Sequence, residues 1–314
     1  MTGLAKIIED TFPVRGRITE NAPLGTMGWF KTGGVAGILF KPADLEDLRS
    51  FFAALSAETP VQTFGVLSNT IIRDGGVPGV TIRLGREFAK IEVLEGNRIR
   101  AGALALDASV AKTAADAGIA GLEFFSSIPG TIGGALRMNA GCYGTETKDI
   151  LIEATALDRN GKTHILTPAR MGMSYRHTTT PADYIFVNAV FQGQQEQPEI
   201  IKAHMAQIKE KRENSQPLRE RTGGSTFANP SAEEIARAEL PEGTKVWQII
   251  DRAGCRGLMV GGAQMSEKHC NFMINTGTAS AEDLENLGEE VRRRVAETFG
   301  ITLRWEIRRI GEKA

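Results

Sequence analysis

Along residues 14–120 apolar and polar positions alternate in two rhythms, one of period two and one of three to four. Residues 37–41 form a short apolar run that reads as a strand. Pro42 and Asp44 then open a helix, with Asp44 as N-cap and Leu45, Leu48, Phe51, Phe52 and Leu55 on one face. Residues 61–65 read as a second strand, so 37–65 predict a β–α–β unit. Further strands are predicted over 80–84, 91–94 and 97–102, the last after a turn at Glu95-Gly96. Residues 107–118 carry helical spacing and end on a glycine, as helix C-termini do. Residues 151–166 alternate around Asn160-Gly161, a hairpin signature, and 184–191 read as another strand. Residues 1–20 read as a short amphipathic helix followed by a connector.

The rhythm changes near residue 195, where Gln194-Gln-Glu-Gln-Pro198 is a polar break followed by a charged helix over 199–213. We place a domain boundary there. A second block runs to residue 302 and includes a strand over 272–275. Its last helix starts at Ser280, where Ser-Ala-Glu-Asp makes a capping box, and ends at Phe299 before Gly300. A strand over 301–307 closes this reading, and no internal repeat is visible.

Charge excludes one class of partner. The 37 basic and 38 acidic side chains leave a net charge of −1, which gives no field for holding a nucleic acid. No run approaches the roughly 18 apolar residues of a membrane span, and the N-terminus does not read as a signal peptide. Cys142, Cys255 and Cys270 are odd in number and widely spaced, fitting neither a disulfide framework nor a zinc site. The four histidines are scattered, so no metal is expected, and a reducing cytoplasm is the expected location.

Glycine is the outlier, at 35 of 314 residues against an ordinary share of roughly 7%. The densest stretch, residues 121–144, holds six glycines and a Pro-Gly turn among small residues. It offers backbone N–H donors to an extended polyphosphate ligand, or it is a set of close-packed turns. A second turn, Gly65-Val-Leu-Ser-Asn69 followed by Asp74, fits neither a Rossmann fingerprint nor a P-loop. Ser225 follows two glycines without a nucleophile elbow, so it is a turn serine, a proton donor or a phosphate ligand. Arg176 lies between an amphipathic helix and a strand.

Taken in order, these segments resemble one family, UDP-N-acetylenolpyruvoylglucosamine reductase. The matching pieces are Thr32-Gly-Gly34, residues 65–74, Ile128-Pro-Gly-Thr-Ile-Gly-Gly-Ala135 with Met138-Asn-Ala-Gly141, and Tyr175-Arg176. They continue with Gly224-Ser-Thr-Phe227, Asn229-Pro230, Gly261-Gly-Ala-Gln264, Lys268-His269 and Glu306. The resemblance implies an α+β protein. Its FAD-binding part would have the vanillyl-alcohol-oxidase fold, with lobes over 1–84 and 85–197. A separate substrate-binding domain would span 198–302, and a C-terminal strand over 303–314 would carry Glu306. Tyr184 lies only eight positions after Arg176, so the chain resembles the shorter class, which lacks a tyrosine-bearing insertion.

The implied chemistry uses non-covalent FAD and NADPH. NADPH reduces the flavin, which then delivers hydride to the enolpyruvyl ether of UDP-N-acetylglucosamine, giving UDP-N-acetylmuramate for peptidoglycan. Ser225 matches the proton donor, and Arg176 and Glu306 match the residues that stabilise the intermediate; Glu306 orients a carboxylate or, protonated, donates a hydrogen bond. Cofactor contacts carry over to Gly65, Val66, Leu67, Ser68, Asn69, Asp74, Ile128, Pro129, Gly130, Thr131, Gly133, Gly134, Asn139, Ala140 and Gly141. Substrate contacts carry over to Tyr175, Gly224, Asn229, Arg256, Lys268, His269 and Arg308, with the last arginine and Arg256 suited to a diphosphate or carboxylate. A monomer is expected, although the sequence does not fix the oligomeric state. Two departures stand out: Leu67 replaces a small residue, so a glycine-only dihedral there would loosen the FAD diphosphate, and Thr70 replaces an apolar one. The rival readings are another flavoprotein of this fold acting on a small alcohol or hydroxy acid, and a nucleotide-sugar-binding module without flavin.

Overall fold

The computed structural model describes residues 14–314. Its chain divides into two compact units. The first comprises the described part of Met1–Ala22 with Ala36–Val66 and Pro78–Arg212; the second comprises Pro23–Val35, Leu67–Val77 and Glu213–Ala314.

The first unit holds a four-stranded sheet in the order Arg17–Ala22, Ala36–Lys41, Val77–Ile82, Val61–Thr63. The connector read before residue 20 is a strand instead. Arg17–Ala22 has weak alternation of its own and is set by antiparallel pairing with Ala36–Lys41. The helix expected before it falls on residues outside the described ones. Helix Leu45–Ala54 starts where its pattern says, with the Asp44 carboxylate accepting from Asp47 N at 3.0 Å. Phe51 from its buried face stacks on Phe40, ring centres 4.2 Å apart. The two strands of the β–α–β unit are not neighbours, because Val77–Ile82 lies between them.

A five-stranded antiparallel sheet follows, in the order Thr163–Leu166, Leu151–Leu157, Ile185–Gln192, Arg98–Gly102, Ile91–Leu94. Its hairpin turns at Asn160-Gly161 as read: Asp158 Oδ1 accepts the amides of Asn160 and Lys162, and Gly161 takes φ +75°. Helix Asp107–Asp116 packs Val110, Ala111 and Ala114 into the same core. The polar break at 194–198 does not end this unit. Gln194–Gln195 pairs with Ile119–Ala120, and helix Pro198–Ser215 buries Ile201 and Ile208, so the unit runs on to Arg212.

The second unit holds a four-stranded antiparallel sheet in the order Arg221–Thr222, Met273–Asn275, Ala263–Met265, Met259–Val260. Helix Ala281–Phe299 covers it, with the Ser280 hydroxyl accepting from Asp283 N at 3.0 Å and Gly300 left-handed at φ +66°. The strand expected over 301–307 is displaced. Ile301, Leu303 and Ile307 are buried in alternation, yet the ladder forms only at Arg308–Ile310, parallel to Thr70–Ile72. Glu306 therefore precedes the strand. That pairing also explains why Leu67–Val77 belongs to this unit. Among the described residues no helix is long and apolar enough to cross a membrane.

Candidate active site

In the first unit the glycine-rich run is held against residues 103–107 by backbone pairing. Gly133 N donates to Ala103 O at 2.8 Å, Ile132 N to Ala105 O at 3.0 Å and Asp107 N to Gly130 O at 3.2 Å. Its glycines differ by position. A Cβ at Gly130 would lie 2.8 Å from Asp107 Oδ2, one at Gly133 3.1 Å from Ala103 O, and one at Gly141 2.5 Å from Thr145 O, so these three serve packing. A Cβ at Gly134 would meet only Thr131 Oγ1, at 3.9 Å. There the missing side chain leaves room beside helix Ile132–Met138, whose first turn carries no side-chain cap. That space fits the close approach of a cofactor. Gly65 lies against Thr131, where a Cβ would sit 2.4 Å from its hydroxyl. Val66, Ile128, Pro129 and Ala140 are half-buried nearby in sequence.

Asn139 ends the short helix in the left-handed region at φ +41° and is fully buried. Its amide is used inside the protein: Nδ2 donates to Glu146 Oε2 and to Ser174 O, each at 3.0 Å, and Oδ1 accepts from Lys148 N at 3.0 Å. The Ser174 bond ties the glycine run to the turn that carries Arg176. Ser174 and His177 exchange backbone bonds of 3.0 and 3.1 Å, and Arg176 sits between them at φ +55°. The helix expected just before it does not form; residues 168–172 are turns. Its Nη2 donates to Gly141 O at 2.9 Å, and its guanidinium lies 5.0 Å from the exposed Tyr175 ring. Cys142, next in the run, shares a 2.9 Å hydrogen bond with Ser127, and burial pushes its thiol up from the usual value.

Sequence reasoning missed Asp107. It is fully buried, neither carboxyl oxygen has a hydrogen-bond partner among the described residues, and burial raises its pKa well above the ordinary carboxylate value. At the first position of a helix an acid looks routine, which hid it.

In the second unit Leu67 takes φ +54° while buried, and Ser68 follows in the turn. Asp74, expected at the cofactor, has both carboxylate oxygens committed to the start of helix Ala281–Phe299, accepting from Ala281 N and Glu282 N at 3.0 Å each. Asn69 Oδ1 accepts from Gly224 N at 3.0 Å and Nδ2 donates to Glu306 O at 3.4 Å. Ser225 is half-buried, and its hydroxyl has no hydrogen bond among the described residues. Asn271, also missed, brackets the far side: its Oδ1 accepts from Phe227 N at 3.0 Å and its Nδ2 donates to Phe227 O at 2.9 Å. An asparagine between Cys270 and Phe272, just before a strand, was the available signal.

The substrate candidates of this unit differ in availability. The Arg308 guanidinium has neither hydrogen bond nor ion pair among the described residues, and desolvation lowers its pKa from the arginine value. Arg256 is paired with Asp251 at 2.7 Å, and Lys268 Nζ donates to Glu213 O at 2.6 Å. Asn229 Oδ1 accepts from Val246 N at 3.0 Å. His269 lies between Trp247 and Phe272, ring centres 6.0 and 4.9 Å away, and burial lowers its pKa, so its imidazole is neutral at neutral pH.

Comparison with known proteins bears on this arrangement. The family model for an FAD binding domain matches residues 36–167, and that for the UDP-N-acetylenolpyruvoylglucosamine reductase C-terminal domain matches residues 216–310. The chain is 56% identical over 307 residues to the UDP-N-acetylenolpyruvoylglucosamine reductase of Parvibaculum lavamentivorans, covering 98% of this chain and 95% of that one. It is 55% identical over 298 residues to the enzyme of the same name from Paramagnetospirillum magneticum, covering 95% and 93%. Its fold superposes on the crystal structure of UDP-N-acetylenolpyruvylglucosamine reductase from Thermus caldophilus with a TM-score of 0.79 at 30% identity, covering 94% and 100%.

Proposed function

Because the chain belongs to the UDP-N-acetylenolpyruvoylglucosamine reductase family, an FAD-dependent oxidoreductase family of peptidoglycan synthesis, we propose that it reduces the enolpyruvyl ether of UDP-N-acetylglucosamine to UDP-N-acetylmuramate at the expense of NADPH, with Ser225 as proton donor. The observation that carries the assignment of Ser225 is its hydroxyl, unbonded among the described residues, on a backbone pinned from both sides. A hydroxyl already donating to a protein acceptor would have to break that bond first.

Gly65, Thr131 and the open side of Gly134 would hold FAD. When bound, FAD supplies two-electron relay chemistry between NADPH and the carbon–carbon double bond. The protein's own groups do the rest. Serine is a poor acid, so Ser225 gives up its proton only to a carbon where negative charge is building and which is held close. Arg176 is cationic at every relevant pH and suits the substrate carboxylate and the oxygen on which charge gathers. Its left-handed backbone and the Gly141 contact set the guanidinium before substrate arrives. Glu306 completes the set, orienting the carboxylate or, protonated, donating to it. Arg308, whose guanidinium has no partner among the described residues, suits the diphosphate or carboxylate. Neutral His269 recognises by hydrogen bonding rather than charge.

The test separates the two half-reactions by flavin absorbance. In Ser225→Ala, reduction of FAD by NADPH should stay near wild type. Reoxidation by the enolpyruvyl nucleotide should slow by about 10²–10⁴-fold, the scale of a lost proton donor. Equal slowing of both half-reactions would refute the role of Ser225, and a wild-type flavin that the nucleotide cannot reoxidise would refute the substrate.

A further inference from the structure

We propose that Asn69 is a positioning residue for the protonation step, locking the Ser225 segment and the backbone of Glu306 into one frame with Asn271 as its counterpart. The proposal rests on the reductase reading above. It reassigns a side chain that the family resemblance placed at the cofactor.

The hydrogen bonds close a circuit. Asn69 Oδ1 accepts from Gly224 N, one residue before Ser225. Thr226 O, one residue after, accepts from Glu306 N at 2.8 Å and Ile307 N at 3.3 Å. Glu306 O in turn accepts from Asn69 Nδ2. Starting at Asn69, the path runs through Gly224, Ser225, Thr226 and Glu306 and returns to the same planar amide. The Asn69 backbone is fixed as well, since its carbonyl accepts from Arg308 N at 3.1 Å. From the other side Thr226 N donates to Asn271 O at 2.8 Å, and the Asn271 amide grips both backbone groups of Phe227.

The circuit also accounts for the glycine pair before Ser225. A Cβ at Gly223 would meet the Phe30 ring at 2.9 Å and Asn69 Oδ1 at 3.1 Å, and one at Gly224 would meet Asn69 Oδ1 at 3.4 Å. Glycine lets the amide reach the backbone. An amide is required because one end must accept and the other donate. Aspartate keeps the acceptor and loses the donor; alanine loses both.

The experiment uses the full-length enzyme saturated with FAD, with NADPH and the enolpyruvyl nucleotide as probes. Asn69→Ala should slow reoxidation at saturating nucleotide by about 10–100-fold, the scale of a reacting group displaced by roughly an ångström. The FAD dissociation constant, the NADPH reduction rate and the nucleotide KM should each move by less than about threefold, because the damage falls on orientation rather than binding. Asn69→Asp should fall between Asn69→Ala and wild type, and carries the comparison if the alanine variant does not fold. In a Ser225→Ala background, Asn69→Ala should cost less than about twofold more, since it acts through that hydroxyl. Full additivity there would overturn the proposal, as would a tenfold weaker FAD affinity with normal reoxidation at saturation. Failure of the reductase reading looks different, because the wild type itself would then not be reoxidised.

Discussion

Arg176 and Ser225 are both fixed through a neighbour's backbone by a distant asparagine, yet the two are prepared differently. Asn139 holds Ser174, two residues before Arg176, and the guanidinium is itself anchored to Gly141 O. Asn69 holds Gly224, but the Ser225 hydroxyl has no bond among the described residues. The contrast follows from what each group is proposed to do. A permanent cation stabilises developing charge best when its orientation is fixed in advance, even at the cost of about 1–3 kcal/mol for a left-handed non-glycine residue. A proton donor needs a fixed backbone and a free O–H.

The largest expected effect breaks the first arrangement at its anchor. In Gly141→Ala the new Cβ would lie 2.5 Å from Thr145 O and 2.8 Å from Glu146 Cα, both backbone atoms that cannot step aside. The Gly141 carbonyl that Arg176 grips must shift. We expect a stability loss of about 1–3 kcal/mol, the range for an overpacked site. Reoxidation by the nucleotide should fall by about 100-fold. A variant with wild-type reoxidation would show that the Gly141 contact does not orient Arg176.

Asp107, beneath the same run, gives the next effect. Burial holds its pKa well above the ordinary value, so the folded state favours the neutral acid. Its contribution is complete below the unfolded carboxylate pKa and is lost as pH rises toward the folded one. Asparagine stays neutral throughout. Asp107→Asn should therefore match wild type in acid and exceed it at neutral pH, the gap widening by about 1.4 kcal/mol per pH unit between the unfolded and folded carboxyl pKa values. Denaturant midpoints at several pH values would show it; a gap independent of pH would mean that Asp107 titrates alike in the folded and unfolded chain.

These sites differ in how visible they were in the sequence. Local chemistry was legible: Asp44, Ser280, Asn160-Gly161 and Gly300 act where their residue types say. So was the glycine density of residues 121–144, since close backbone approach leaves a compositional trace. What escaped depends on partners far along the chain. Strand Arg17–Ala22 exists through its pairing, and Thr70–Ile72 joins the second unit through a strand near residue 310. Asn69 and Asp74 fit a cofactor contact by type and motif. Only the fold shows their polar atoms committed to residues 155 or more positions away. A side chain with two hydrogen-bonding ends carries no mark of which partner it takes.

Leu67 provides the smallest and sharpest test, because there the sequence raised the question of a glycine-only dihedral and the consequence can be weighed. A left-handed leucine costs about 1–2 kcal/mol, and its φ of +54° incurs that cost. Glycine would remove the strain. It would also expose the space filled by a side chain only 6% accessible, worth about 1.5–3 kcal/mol. It would further add roughly 0.5–1 kcal/mol of unfolded-chain entropy. The losses outweigh the gain by about 1 kcal/mol, so Leu67→Gly should lower the melting temperature by about 2–4 °C. The turn already adopts the left-handed backbone with leucine, and the Leu67 carbonyl already accepts from Trp29 N at 3.3 Å. Glycine thus has no new backbone geometry to offer the cofactor, and the FAD dissociation constant should change by less than about threefold. A tenfold tightening on flavin titration would mean that the leucine side chain, rather than the dihedral, obstructs the diphosphate.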